Sequence, residues 1–237
     1  MRPARLILDP GACGYHCTSR VVGREFLFAE DQHKEKIKDI ILAASTLKGA
    51  FVLNFVVMSN HIHILAQIPE PSSLTPLTEQ ELIACSKVLY SKNYVNNLQR
   101  QFRRAHQEKN PERRTALLLE IFSKYEDNRG DLSDFMKEVK ERISKYINKC
   151  LGRKGTLWEN RFDSVVAENT IKALLAVSTY IDLNPIRAGI VDRVEDFWRT
   201  KPTALQFAKA SLVSRLKKWL MKKVYLCGRF HRGKRFR

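Results

Sequence analysis

The stretch that decides the fold is AFVLNFVVMSNHIHILAQI, which occupies residues 50–68. Residues 50–58 are rich in Phe and Val and predict a β-strand. Ser59 and Asn60 are turn-forming residues, and residues 61–68 predict a second strand that pairs with the first as a hairpin. The stretch therefore predicts two adjacent antiparallel strands.

A short strand and an amphipathic helix are predicted ahead of this hairpin. Residues 14–19 predict the strand, and residues 30–48 predict the helix, which Gly49 ends. The order strand, helix, hairpin predicts an α+β fold. The helix has apolar residues at spacings of three and four, namely Ile37, Ile40, Ile41, Ala44 and Leu47.

The middle of the chain predicts an all-helical insertion over about residues 78–150. Thr78 and Glu81 form a capping-box signature for a long helix that reaches about Gln107. Asp131 is the predicted N-cap of a later helix. The apolar stripe of that later helix consists of Leu132, Phe135, Met136, Val139, Ile143 and Ile147.

The elements after the insertion complete the predicted domain. Residues 161–168 predict a strand, and Asn169 is a candidate cap for a helix that runs to about Leu183, where Pro185 stops it. All of these elements together predict one domain over residues 1–200.

A basic helical tail is predicted to follow over residues 201–237. No acidic residue occurs after Asp196, and aromatic residues such as Trp219 and Tyr225 lie among the basic ones, as suits phosphate contact and base stacking on a single strand. A solvated amphipathic helix is the alternative interpretation. The candidate DNA-binding residues are Arg215, Lys217, Lys218, Lys222, Lys223, Arg229 and Arg232.

The charge balance of the whole chain indicates a polyanionic partner. Lys and Arg number 42 against 25 Asp and Glu, a formal net charge of +17 that attracts nucleic acid. An anionic membrane is the competing partner, but no apolar run has the length of a membrane span, and Arg2 is not followed by the apolar core of a signal peptide. We therefore expect a soluble, cytoplasmic, nucleoid-associated protein without a membrane partner. Arg100, Arg103 and Arg104 form a second, weaker candidate patch.

The cysteines predict reduced thiols rather than a disulfide framework, because they are scattered and odd in number. Cys13, His16 and Cys17 could form half of a zinc site, but no second cysteine pair completes four ligands. Ordinary packing is the better interpretation of these three residues.

Two histidines on the second hairpin strand are candidate metal ligands. His61 and His63 alternate along the predicted strand, so both imidazoles point to one face while Ile62 points to the other. Neutral imidazole suits divalent metals. Taken alone, however, the pair is more typical of structural histidines than of a metal or phosphate site.

A tyrosine and an asparagine lie close together on the last predicted helix. Tyr180 falls on the side opposite the apolar stripe, so its ring is expected to point away from the core. Asn184 follows at i+4 and shares the face of the tyrosine. The alternatives are surface packing for Tyr180 and helix termination before Pro185 for Asn184. The stripe consists of Ile171, Leu174, Leu175, Ser178 and Ile181.

Four sequence blocks resemble successive motifs of one known family, and they occur in the family's order over about residues 3–200. On this basis the chain resembles the REP-associated tyrosine transposases, which are IS200-like transposases in the single-tyrosine branch of the HUH endonucleases. The blocks are YHCTSR at 15–20, MSNHIH at 58–63, GTLWENRF at 155–162 and YIDLNPIRAG at 180–189.

The resemblance implies a ferredoxin-like antiparallel sheet with packed helices and a divalent metal, Mg²⁺ or Mn²⁺, at its centre. His61 and His63 match the family's metal ligands. Asn184 lies where related transposases place a Gln as the third ligand, and it is one methylene shorter. Glu168 or Asp182 could substitute for it.

The resemblance also implies the chemistry and the partner. Tyr180 matches the nucleophile, which would form a 5′-phosphotyrosine link with single-stranded or hairpin DNA from palindromic repeats. A 3′ hydroxyl could then reverse the step and join strands without ATP. The family does not identify a general base here, nor does it fix the target sequence or the oligomeric state.

Two other functions compete with this one. A DNA-binding protein derived from a transposase could have lost the chemistry, but His61, His63 and Tyr180 are all present. A two-histidine phosphoesterase acting on RNA would need a second histidine motif. The later histidines, His106 and His231, fall in the helical insertion and the basic tail.

Overall fold

The computed structural model describes residues 13–198 of the chain. The described residues form two compact units, which divide after Ile181. The first unit contains a β-sheet and the helices that pack on it. The described part of the second unit contains two short helices, α7 (Asn184–Arg187) and α8 (Val194–Trp198).

The sheet has four strands: β1 (Cys13–Arg20), β2 (Phe51–Val57), β3 (His61–Gln67) and β4 (Asp163–Glu168). Their order is β2-β3-β1-β4, and every neighbouring pair is antiparallel. Helix α1 (Asp31–Lys48) connects β1 to β2, and further helices connect β3 to β4. This is the ferredoxin-like arrangement, so the predicted α+β fold is confirmed.

Helix α1 and the hairpin form as their sequences predict. Every residue of the predicted apolar stripe on α1 is buried, and Gly49 ends the helix in the left-handed region with a φ of 68°. In the hairpin, the Met58 N–H donates to the His61 carbonyl at 2.9 Å and closes the turn. Ile62 and Ile64 of β3 are fully buried on the opposite face from the histidines.

The single long helix predicted to reach Gln107 is two helices, α2 (Glu79–Leu89) and α3 (Lys92–Gln107). Tyr90 has an extended backbone, with φ −120° and ψ 171°. The Ser91 hydroxyl then accepts from the Tyr94 N–H at 3.3 Å and caps the second helix. The prediction of one helix was wrong. The apolar spacing alone does not reveal the break, whereas the Ser91 cap begins a new series of helical hydrogen bonds.

The other predicted caps of the insertion are present. The Thr78 hydroxyl accepts from the Glu81 N–H, and the Glu81 carboxylate accepts from the Thr78 N–H, which forms the capping box. Helix α4 (Pro111–Glu126) and helix α5 (Leu132–Cys150) follow. Asp131 is the N-cap of α5, and its carboxylate accepts from the Asp134 N–H at 2.7 Å. The predicted stripe of α5 is entirely buried.

Helix α6 (Ile171–Asp182) is capped by a different residue from the predicted one. The Thr170 hydroxyl accepts from the Ala173 N–H at 3.2 Å. The side-chain oxygen of Asn169 instead accepts from the Gln67 side-chain amide at 2.6 Å. Asn169 therefore ties the start of α6 to the end of β3 instead of capping the helix.

Two contacts hold α6 against the sheet. Gly14 leaves room for Leu174, because a Cβ at Gly14 would lie 2.7 Å from the Leu174 Cδ2 atom. The Asn54 side-chain amide donates to the carbonyl and to the hydroxyl of Ser178, at 3.1 and 2.8 Å. Helix α6 therefore lies on the face of the sheet to which Gly14 and Asn54 point.

The predicted tail, residues 201–237, and the predicted domain limit at residue 200 lie outside the described residues. Within residues 13–198, no helix combines the length and the apolar character needed to cross a membrane.

Candidate active site

Polar side chains from β1 and β3 share one face of the sheet. His16, Thr18 and Arg20 alternate along β1 and therefore point to the same side. On β3, His63 pairs with Thr18 and His61 pairs with Arg20, so both histidines join that side. We refer to His16, His61 and His63 as the histidine cluster.

His63 lies at the centre of the cluster and is only 7% exposed. Its Nδ1 atom lies 2.9 Å from the His16 Nε2 atom and 3.1 Å from the Thr18 hydroxyl oxygen. The His16 and His63 rings are stacked, with centroids 5.1 Å apart. Two protein groups on β1 therefore face the same nitrogen of His63.

His61 is half-buried, and its ring centroid lies 4.9 Å from that of His63. Its Nδ1 atom lies 2.7 Å from the Asn60 side-chain oxygen. Since that oxygen only accepts, Nδ1 carries the proton and Nε2 holds the lone pair. His61 therefore uses Nδ1 to contact the protein and keeps Nε2 as a potential ligand atom.

The imidazoles of the cluster are uncharged at neutral pH. Burial, followed by the positive charge of Arg20, lowers the pKa of His61 to about 4. Burial, followed by the charged forms of His61 and His16 and by Arg20, lowers the pKa of His63 to about 3. Burial also lowers the pKa of His16. Neutral imidazole is the form that binds metal ions, so the cluster needs no proton release to do so.

Tyr180 of α6 lies beside the cluster. Its ring centroid is 5.7 Å from that of His16 and 6.3 Å from that of His63, in edge-on arrangements. Tyr180 is 40% exposed, whereas Leu174, Ser178 and Ile181 of the apolar stripe are buried, so the ring points away from the core as predicted. In the predicted buried stripe, Ile171 is 49% exposed and Leu175 is 47% exposed.

Asn184, Glu168 and Asp182 are the candidates for a third metal ligand. Asn184 and Asp182 belong to the second unit, and Leu183 separates α6 from α7. Glu168 pairs with Cys13 at the far end of β4, about 17 Å along the strand from the position opposite Thr18. The structure therefore does not bring Glu168 to the cluster, and Asn184 stays a prediction.

Two members of the cluster, His61 and His63, have the chemistry that a pair of metal ligands requires. His61 and His63 are uncharged, their rings are adjacent, and each has its Nδ1 atom engaged by the protein. Within the part of the chain that the structure describes, no group of three or more His, Cys, Asp or Glu side chains could hold a metal ion.

The sequence interpretation missed His16 as part of the site. It assigned His16, with Cys17, to ordinary packing. Cys17 is indeed fully buried on the opposite face of β1. The alternation of His16 with Thr18 predicts that both side chains lie on one face of the strand. It does not predict which strand lies next to them.

The predicted DNA-contact residues of the tail, within residues 215–232, lie outside the described residues. The weaker patch is visible on α3, where Arg100, Arg103 and Arg104 are exposed. The buried side of the same helix includes Leu98 and Phe102. The helix therefore presents its basic side to solvent.

Part of the chain matches a known protein family, and two solved structures are similar to the chain. Residues 11–109 match the family described as "Transposase IS200 like". A solved structure of a REP-associated tyrosine transposase bound to a REP hairpin is 16% identical, with a TM-score of 0.49, over 83% of this chain and 79% of that chain. A Deinococcus radiodurans R1 protein assigned as a transposase is 14% identical, with a TM-score of 0.35, over 77% of this chain and 96% of that chain.

No curated protein matches the chain. The matched segment contains β1, α1 and the hairpin with His61 and His63, which is most of the sheet described above. Residues 11–109 are therefore similar to the IS200-like transposases, the family that the sequence blocks resemble.

Proposed function

We propose that this transposase cleaves and rejoins single-stranded or hairpin DNA, with Tyr180 as its nucleophile. His61 and His63 would hold a divalent metal, Mg²⁺ or Mn²⁺. The observation that carries the proposal is the position of the Tyr180 ring, next to His16 and His63 and on the face of the sheet that bears the histidine cluster.

Other tyrosines of the described chain are poorer nucleophiles. Burial and the nearby Glu138 carboxylate raise the pKa of Tyr90, and burial and its hydrogen bond with Tyr94 raise the pKa of Tyr125. Burial, with the Cys150 thiol next, raises the pKa of Tyr146 to about 12. These tyrosines lie in the helical insertion, whereas Tyr180 lies on α6.

A metal bound by His61 and His63 would polarise the scissile phosphate and offset the charge that develops on it. Asn184 is the candidate third ligand. Arg20 pairs with His61 across the strands and adds a permanent positive charge to the same face. A phosphate at this face would therefore meet the Arg20 guanidinium together with hydrogen-bonding groups.

In the cleavage step, the Tyr180 oxygen attacks phosphorus and the bond from phosphorus to the 3′ oxygen breaks. The phenol loses its proton, and the departing 3′ oxygen gains one. The product is a 5′-phosphotyrosine link plus a free 3′ hydroxyl. Because the phosphoester bond is conserved, a 3′ hydroxyl can attack the link, regenerate Tyr180 and join the strands without ATP.

DNA as the partner is supported by the net charge of +17 and by the exposed arginines on α3. A palindromic hairpin is the substrate class that the sequence blocks favour. Its extruded single strand would supply an unpaired phosphate to the histidine cluster.

A covalent trap tests the proposal. Wild-type protein is incubated with Mn²⁺ and 3′-labelled DNA, either single-stranded or folded as a hairpin from the chain's own flanking palindromes. We expect a denaturant-resistant labelled adduct that mass spectrometry maps to Tyr180. DNA binding without any adduct on either substrate would favour the non-catalytic alternative, and an adduct on another tyrosine would overturn the assignment.

A further inference from the structure

We infer that His16 is a positioning residue that holds His63 in the tautomer with its proton on Nδ1. The Nε2 atom of His63 then keeps its lone pair for a ligand. The inference deepens the proposed function and rests on it for its catalytic consequence. The tautomer itself can be measured without metal, DNA or turnover.

The contact between the two rings restricts where the protons lie. The His16 Nε2 and His63 Nδ1 atoms are 2.9 Å apart, so they share one proton between them. Either His63 donates to His16, or His16 donates to His63. In the second case the neutral His63 ring carries its proton on Nε2, where it cannot bind a cation.

The neighbouring groups favour the first case. The Thr18 hydroxyl oxygen lies 3.1 Å from the same Nδ1 atom, so an N–H there has two acceptors within reach. A lone pair on Nδ1 would instead have to accept two hydrogen bonds in a single direction. Donation by His63 lets both acceptors contribute.

His61 provides an internal comparison. Its Nδ1 faces the side-chain oxygen of Asn60, an acceptor, at 2.7 Å, which assigns its proton to Nδ1. If His63 has the same tautomer, both adjacent rings offer an Nε2 lone pair. His16 would thus perform for His63 the role that Asn60 performs for His61.

His16 also touches the other half of the site. Its ring meets the Tyr180 ring edge-on at a centroid distance of 5.7 Å. A shift of His16 would therefore disturb His63 and Tyr180 together.

The primary test is the imidazole nitrogen spectrum of metal-free, ¹⁵N-histidine-labelled protein. Long-range proton–nitrogen correlations distinguish a protonated ring nitrogen from one with a lone pair. We expect a protonated Nδ1 and an unprotonated Nε2 for His63 in the wild type. In His16→Phe, which keeps an aromatic ring against Tyr180, we expect a measurable shift of the population toward the Nε2–H tautomer.

Two further variants make the test specific. His16→Gln restores an acceptor oxygen, so we expect it to recover much of the wild-type tautomer. Thr18→Val removes the second acceptor and should change the population less than His16→Phe. We also expect Mn²⁺ binding, measured by calorimetry, to weaken about 10–100-fold in His16→Phe and to recover in His16→Gln.

The outcomes separate the two proposals. A wild-type His63 protonated on Nε2, or a tautomer unchanged in His16→Phe, would overturn the role of His16 whatever the enzyme does. If the spectra show the predicted tautomer changes but the covalent trap gives no Tyr180 adduct, the positioning role of His16 is retained and the proposed function is rejected. The wild-type spectrum tests the assignment of the proton without any variant, so the inference can be overturned even if His16→Phe does not fold.

Discussion

Asn54 on β2 donates hydrogen bonds to both the carbonyl and the hydroxyl of Ser178 on α6, at 3.1 and 2.8 Å. Both residues are buried. Ser178 lies two positions before Tyr180, so this contact fixes the part of α6 that carries the proposed nucleophile. A pair of interior hydrogen bonds therefore connects the stability of the fold to the placement of the tyrosine.

We expect Asn54→Ala to lower the free energy of unfolding by about 1–3 kcal/mol, because it leaves the buried Ser178 hydroxyl without this partner. Adduct formation should also fall, since α6 loses its anchor. Ser178→Ala removes only the hydroxyl contact and should cost less. Denaturant unfolding of both variants, beside adduct yield, checks this order. An equal or larger loss in Ser178→Ala would contradict it.

Tyr180→Phe should lower adduct formation by at least about 10³-fold, because it removes the attacking oxygen. The ring remains, so packing against His16 and hairpin binding should be retained. Single-turnover cleavage and a binding titration measure the two effects separately. Tyr146→Phe is the matched control, since its hydroxyl bonds to His33 at 3.1 Å in the helical region. Wild-type cleavage by Tyr180→Phe would exclude this nucleophile.

The sequence predicts the local elements of this site well and their long-range assembly less well. Alternation in residues 61–68 places His61 and His63 on one face because a strand repeats every two residues. The position of His16 beside His63 depends on the pairing of β1 with β3, which a local period does not encode.

The helix boundaries show the same limit. The Thr78 box and the Asp131 cap use contacts within one turn, and both were predicted correctly. Asn169 has a good capping side chain, but a tertiary bond to Gln67 engages it, so Thr170 caps α6 instead. Where two neighbouring residues could both cap a helix, a hydrogen bond to a distant residue determined which of them does so.

His61→Ala and His63→Ala should each abolish metal-dependent nicking, because each removes one proposed ligand. His61→Ala is the cleaner variant, since His61 is half-buried whereas His63 is nearly enclosed. Calorimetry with Mn²⁺ should show lost binding in His61→Ala, and circular dichroism should show a retained fold. Full Mg²⁺-dependent activity in the double variant would reject the metal assignment.

The stability of the metal-free protein should fall as pH decreases from 6.5 towards 4. An unfolded histidine titrates near 6.5, whereas the folded pKa of His61 is about 4 and that of His63 about 3. Between these values the unfolded state binds more protons, so acidification favours unfolding, while above 6.5 the full stability is present. Urea unfolding across this range should show a flatter pH dependence in the His61→Ala, His63→Ala double variant. Equal slopes would show that the histidines are not protected in the folded state.

Two basic segments should contribute differently to DNA binding. Removal of residues 215–237 should weaken binding to single-stranded DNA and flatten its salt dependence. Each lost phosphate contact reduces the magnitude of the slope of log K against log salt by about 0.7. A second variant changes Arg100, Arg103 and Arg104 of α3 to Gln, which removes the positive charges without introducing negative ones. These side chains are exposed on the helical insertion, so this variant should keep its fold.

The salt titrations then assign the contacts. If both segments touch DNA, each variant lowers the slope and the combination lowers it by the sum, since separated phosphate contacts release their counterions independently. The covalent adduct at saturating DNA should survive in both variants, because neither segment contains Tyr180 or the histidine cluster. A tail deletion with an unchanged slope would show that the tail is a solvated helix rather than a DNA contact. An unchanged slope in the α3 variant would show that these arginines do not contact DNA phosphates and that other basic residues do.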